Sequence, residues 1–148
     1  MTAYSLGGSC GFSTMFVTRP SSSSGTPRWR RCSGSPSWAS RIRALHYHER
    51  GQDDLFLCLQ GMVRVVVLHR ETGETFTEDI GEDNPVAIYV PGIHAHGYEA
   101  LTDCLFCYFV TEEYDPADPD ENGVPWNDPR VVDLWSTKEP ILSDRDRT

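Results

Sequence analysis

The sequence has no run of about 18 consecutive apolar residues, so it contains no helix able to span a bilayer. Lysine is almost missing: Lys138 is the only one in 148 residues. No acidic residue occurs before Glu49. No segment keeps the 3.6-residue apolar period of an amphipathic helix, which argues against a bundle or a coiled coil. Acids outnumber bases by 22 to 13, and the net charge of −9 argues against nucleic-acid binding as the protein's role. Residues 1–17 lack the basic start and apolar stretch of a secretory signal. The five cysteines are an odd number, so reduced thiols in a cytoplasm are the expectation.

The residues present fall into two unlike segments. Residues 1–48 carry six arginines and no acid, and eleven of the first 40 residues are serine, in runs such as SSSSG, PRWRR and SGSPSW. This composition reads as low-complexity, disordered or irregular chain over residues 1–41. Three origins fit it: a transit peptide, a basic arm for an acidic partner, or a segment foreign to the rest of the chain. The abrupt change in composition favours the third, and no chemistry is assigned to the segment.

From residue 42 to 148 the text changes to short strands and turns, a single all-β domain. RALHYH, LFLCLQ (55–60), MVRVVVLH (62–69), TFTEDI, VAIYV (86–90), HAHGYEAL and LFCYFVT (105–111) are rich in β-branched, aromatic and apolar residues, with Gly61, ETGET and GEDNP as turns. Strands at intervals of about 8 to 12 residues predict an antiparallel sandwich or barrel. Cys104 and Cys107 have the C-x-x-C spacing but lie within a strand, with no second cysteine pair, so they read as ordinary buried thiols. Trp126 and Trp135 read as packing residues of the tail. Arg64 alternates with apolar neighbours and is either solvent-facing or a pocket residue. The run DPADPD reads as a solvated loop.

Histidine is scarce, yet four of the five form two pairs, His46/His48 and His94/His96. Residues i and i+2 of a strand share a face, so each pair presents two imidazoles on one side. If both strands face a barrel interior, four imidazoles meet there. Two chemistries suit such a cluster. One is a divalent transition-metal site of His46, His48 and His96 with a carboxylate from Asp53 or Asp54. The other is metal-free acid–base catalysis, with one histidine as base, a carboxylate orienting it, and a tyrosine or second histidine as acid. Asp146, Tyr108 and Tyr114 are candidates for those roles.

From Arg43 to the end, the ordered series RALHYH, LFLCLQGMVRVVVLHR, IYVPGIHAHGY, FCYFVTEEY, WNDP and PILSDRD resembles the dTDP-4-dehydrorhamnose 3,5-epimerases, a family of the cupin superfamily. The resemblance implies a double-sheet jelly-roll barrel that works as a homodimer without a cofactor. It implies a nucleotide-sugar substrate, a dTDP-4-keto-6-deoxyhexose, whose carbons beside the C4 ketone lose and regain a proton. It further implies that His46 is the base, Tyr108 the proton donor, and Asp146 the carboxylate that orients and charges His46. Arg43, His48, Asp54, His96 and Tyr114 would line the substrate site, with Arg43 as a phosphate or polar contact and Tyr114 near the nucleotide.

The departures from the family pattern are specific. The family's lysine near the developing enolate falls, counting seven residues back from Gly61, at Asp54. The glycine of the first motif is Ala44, the family's Gln or similar residue two after the base is His48, the usual glycine of the third motif is Ile93, and His94 is additional. These changes bring His46-x-His48, Asp54 and His96 close to the ligand pattern of metal-binding cupins. A metal-dependent cupin with dioxygenase or isomerase chemistry is therefore the second expectation, and a non-catalytic sugar-nucleotide binder the third.

Overall fold

The computed structural model describes residues 4–6, 13–16, 28–120 and 122–147. Twelve strands are present among them: β1 (Tyr4–Leu6), β2 (Ser13–Phe16), β3 (Arg31–Ser37), β4 (Arg41–Tyr47), β5 (Asp54–Gln60), β6 (Met62–His69), β7 (Thr75–Gly81), β8 (Val86–Val90), β9 (His94–Ala100), β10 (Cys104–Val110), β11 (Asn122–Val124) and β12 (Ile141–Leu142). Only single 3-10 turns, Val132–Leu134 and Arg145–Arg147, interrupt them. None is a helix long and apolar enough to cross a membrane.

The strands form two sheets, ordered β1-β2-β8-β5-β10-β3 and β11-β4-β9-β6-β7, with β12 beside β4. Apart from the parallel pairs β2–β8 and β12–β4, the pairing is antiparallel. The expected all-β double-sheet jelly roll is therefore the architecture found. Within the segment expected to be low-complexity chain, the described residues include strands of the first sheet. Arg31–Ser37 pairs with β10 along its whole length, so the sheet reaches back well before residue 42. Small serines and Gly34 fit a strand at a sheet edge, where composition carries little β signal.

Alternation divides each strand between two environments. Val63, Val65, Val67, Ile80, Phe56, Ile88 and Phe106 meet between the sheets. Val66, Leu68, Ile42, Leu45 and Ala95 face the other side of the second sheet, where Val131 and Trp135 cover them. Trp135 is almost fully buried and its indole Nε1 donates to the Trp126 carbonyl at 2.8 Å. Both tryptophans thus serve the packing expected of them. Arg64 lies under this same cover: its guanidinium donates to both Asp79 oxygens at 2.7 and 2.8 Å and approaches the Leu134 carbonyl at 3.3 Å. It is partly exposed on the outer face of the sheet and does not line the pocket. Glu99 is buried on that face and accepts from Ser136 N, Ser136 Oγ and Thr137 N at 2.6, 2.6 and 2.9 Å. The tail is therefore held by both apolar cover and a satisfied buried carboxylate. The described cysteines are free thiols, with Cys58 and Cys104 buried. Cys10 lies outside the described residues.

Candidate active site

A cavity of about 800 Å³ opens between the sheets. Its floor is built from β4, where the chain departs from regular pairing. Arg43 is opposite Tyr98 and His46 opposite His96, so two residues of β4, Ala44 and Leu45, face the single Gly97 of β9. This β-bulge changes the parity of the strand. Residues 43 and 46, three apart, both turn inward, whereas Leu45 stays in the outer core. His48, two residues beyond His46, then shares its face.

Three imidazoles meet here, not four. Ring centroids of His46 and His96 are 4.4 Å apart, of His46 and His48 5.2 Å, and of His48 and His96 5.7 Å. His94 shares the face of His96 but sits further along β9, where it meets His69 at 5.0 Å across the β6–β9 ladder. His96 itself is wholly buried behind the other two and does not line the cavity, contrary to the expectation.

Asp54 comes from the opposite sheet. Its Oδ2 lies 3.1 Å from His96 Nε2 and 3.8 Å from His48 Nε2. The neighbouring Asp53 points away, accepting from the Tyr89 hydroxyl at 2.5 Å and from Gly92 N at 3.0 Å, and so anchors the turn before β9. Of the two aspartates, Asp54 belongs to the site.

Burial holds the His46 imidazole well below its usual pKa, and His96, His48 and Arg145 push it the same way, opposed by a weaker backbone contact at Ala44. His48 is lowered by burial and by His96, with Asp54 and Asp120 opposing. Both rings are therefore neutral at pH 7, the form that accepts a proton or a metal.

Asp146 and His46 border the same smaller cleft beside the main cavity. The Asp146 carboxylate, buried, accepts from Ser143 Oγ at 2.5 Å and faces Arg145 Nε at 3.6 Å and Arg43 Nη1 at 4.0 Å. Nδ1 of His46 is buried and makes no hydrogen bond of good geometry. Asp146 thus faces both arginines, and His46 is in ring contact with His48 and His96.

Tyr108, on β10, lines the cavity opposite β4, and the half-exposed Tyr114 sits at its rim. Four guanidinium groups line it as well: Arg31, Arg43, Arg50 and Arg145. Arg31 was hidden in the low-complexity segment, where nothing marked it. Arg145 had a legible signal, since it adjoins Asp146 in SDRD. Gln52, also missed, donates to Asp54 at 3.3 and 3.4 Å and lies 3.0 Å from His48 Nε2. The acidic loop is more than solvated: Asp120 accepts from Glu49 N and Arg50 N, its carbonyl faces His48 Nδ1 at 2.5 Å, and Asp118 pairs with Arg50 at 2.7 Å.

Comparison with known proteins bears directly on this site. The sequence profile of the dTDP-4-dehydrorhamnose 3,5-epimerases matches residues 9–148. The match starts well inside the serine-rich segment. The spore coat polysaccharide biosynthesis protein SpsL of Bacillus subtilis is 38% identical over 115 residues, covering 73% of this chain and 76% of that protein. The dTDP-4-dehydrorhamnose 3,5-epimerase of Escherichia coli is 34% identical over 114 residues, covering 71% of this chain and 60% of that enzyme. The crystal structure of the dTDP-4-dehydrorhamnose 3,5-epimerase of Bacillus anthracis with TDP and PPi bound superposes with a TM-score of 0.74 at 29% identity, covering 83% of this chain and 74% of that one.

Proposed function

This chain belongs to the dTDP-4-dehydrorhamnose 3,5-epimerase family, and on that premise we propose that its cavity takes a dTDP-4-keto-6-deoxyhexose and epimerises carbons beside the C4 ketone. One observation carries the reading: a neutral imidazole, His46, and a phenol, Tyr108, line one cavity that also holds four arginines. A carbon acid beside a ketone needs a base on one face and a donor on the other. His46 Nε2 takes the proton, and Tyr108 returns one to the opposite face. The negative charge that develops on the ketone oxygen needs donors fixed in advance, and the arginines are the cations available to meet it. Arg31, Arg43 and Arg145 suit the diphosphate as well, because a guanidinium pairs with phosphate in a planar fork. A structure of one relative holds TDP. Tyr114, at the rim, suits the base end of the nucleotide.

Homodimer formation belongs to the same reading. Leu55, Leu57, Leu59, Leu105 and Phe109 alternate with the core residues of β5 and β10 and so lie on the outer face of the first sheet. Leu59 and Leu105 are 53% and 36% exposed. A second copy covering this face would remove that apolar surface from water. Light scattering on the purified protein reads the mass, and a monomer would remove the dimer. The free thiols suit a cytoplasmic setting.

The test of the activity is solvent deuterium entering dTDP-4-keto-6-deoxyglucose, followed by mass spectrometry. Wild type incorporates deuterium, and His46→Ala loses the exchange. Exchange that survives His46→Ala assigns the base elsewhere, and a wild type without exchange removes the epimerase reading.

A further inference from the structure

We propose that Asp54, His48 and Gln52 form a specificity subsite that receives the C2–C3 hydroxyl edge of the hexose and so selects a sugar with a free 2-hydroxyl. The inference rests on the epimerase reading for the identity of the ligand and deepens it to a narrower substrate class.

The subsite lies on the cavity wall beside the base. His48, Gln52 and Asp54 all line the cavity. The ring centroid of His48 is 5.2 Å from that of His46. Asp54 reaches in from the opposite sheet, with its side chain only 3% exposed. Bulk water does not serve its oxygens, so they depend on the groups around them for hydrogen bonds.

Those groups offer too few donors. An ionised carboxylate has about four acceptor positions and donates nothing. His48 adds one more acceptor. Its Nδ1 faces the Asp120 carbonyl at 2.5 Å, and a carbonyl only accepts, so the proton sits on Nδ1 and the lone pair on Nε2. The single NH2 group of Gln52 is shared among three acceptor atoms. It lies 3.0 Å from His48 Nε2 and donates to Oδ1 and Oδ2 of Asp54 at 3.3 and 3.4 Å, which is long for such bonds. His96 Nε2 stands 3.1 Å from Asp54 Oδ2 but makes no hydrogen bond of good geometry. The wall is therefore rich in acceptors and short of donors. The family's lysine at the position of Asp54 would make it the reverse, since an ammonium only donates.

The hexose supplies what the wall lacks. A 4-keto-6-deoxyhexose carries its hydroxyl donors at C2 and C3. Its other edge holds a methyl group and the ring ether oxygen, which donate nothing. Two neighbouring hydroxyls can donate to the two oxygens of one carboxylate and accept from the Gln52 amide. The diol edge therefore turns to this wall. That edge includes C3, a carbon beside the ketone, and so brings it to His46. A sugar without the 2-hydroxyl would set a methylene against the wall and leave a buried acceptor without its donor.

The full chain is given dTDP-4-keto-6-deoxyglucose and its 2-deoxy counterpart, dTDP-4-keto-2,6-dideoxyglucose. Deuterium exchange yields kcat/KM for each sugar, and calorimetry yields each Kd. Wild type favours the 2-hydroxylated sugar by about a hundredfold or more in kcat/KM, as a site built to bond a substrate hydroxyl does. Asp54→Asn and His48→Gln lower that ratio about tenfold or more, chiefly by weakening the hydroxylated sugar. His69→Gln, outside the cavity, leaves the ratio unchanged. Circular dichroism checks that each variant is folded, and the wild-type comparison of the two sugars needs no variant. Equal constants for the two sugars in wild type overturn the subsite, as does a ratio that both folded variants keep. A tighter Kd for the hydroxylated sugar with no exchange in either would leave this inference standing and remove the epimerase; exchange with equal constants would do the reverse.

Discussion

Gly97 of β9 lies directly against the Arg43 carbonyl of β4, with no room between them for a β-carbon. This contact is the inside of the β-bulge at Ala44 and Leu45, and the bulge is what turns Arg43 and His46 toward the same cavity.

Gly97→Ala therefore forces backbone to move and costs on the order of 1–3 kcal/mol by thermal unfolding. Gly123→Ala on β11, where a β-carbon would meet nothing within 4 Å, serves as the control and leaves the melting temperature close to wild type. Equal effects at the two positions would show that the close approach does not constrain the bulge.

Glu99→Gln tests the tail's polar anchor. The carboxylate takes three hydrogen bonds from Ser136 and Thr137, and the amide keeps one oxygen while turning an NH2 group toward a donor. Losing charge-assisted bonds at a buried site costs about 1.5–3 kcal/mol. Hydrogen exchange should quicken at the amides of Ser136 and Thr137 before the rest of the sheet opens. Uniform quickening would mean that the tail and the barrel open together.

Trp135→Ala removes the largest side chain covering Ile42, Val66, Leu68 and Ala95. The expected loss is about 3–5 kcal/mol in urea unfolding, the range for deleting a buried aromatic. A loss under about 1 kcal/mol, the scale of surface changes, would show that the cover refills the space.

Tyr108→Phe removes the proposed proton donor and keeps the ring packed against the core. Epimer formation should fall on the order of a hundredfold or more. Abstraction by His46 is unchanged in kind, so ligand affinity for dTDP should stay near wild type. A parallel loss of dTDP affinity would make Tyr108 a binding residue instead.

Acid should destabilise the metal-free protein. The pKa of His46 is held well below its unfolded value by burial, then by His96, His48 and Arg145. Burial, then His69 and His96, against the Pro91 carbonyl, brings His94 down to about 4. The unfolded chain binds protons on these rings near pH 6.5, whereas the folded chain does not. Stability is therefore complete above about 6.5 and falls as pH drops toward 4, by up to about 1.4 kcal/mol per pH unit for each group. His48 is lowered too, by burial and then His96, with Asp54 opposing. Urea midpoints in chelator at pH 7.5 and pH 5 read the effect, and an equal midpoint would mean that the folded rings already carry protons.

Much of the molecule was legible in its text. The strands from β4 to β10 follow from β-branched and aromatic runs between glycine turns, because a half-buried pleated surface selects those residues. The histidine pairs announced a site, since i and i+2 share a face by geometry alone. The edge strand β3 was not legible: its serines, proline and glycine resemble disordered chain, and only pairing with β10 makes them a strand. For the same reason Arg31 could not be placed in the cavity from its neighbours in sequence.

The sequence by itself determined the all-β class, the family, and the presence of His46, His48, His96, Asp54 and Tyr108 as the chemical groups. These are local properties of composition, period and motif. The tertiary structure alone decided which of them meet. It brought Asp54 across from the opposite sheet, sent His94 to His69, and gave Asp146 to the arginines. The physical reason is that parity along a strand resets at a bulge, and contact between sheets depends on packing between residues far apart in the chain.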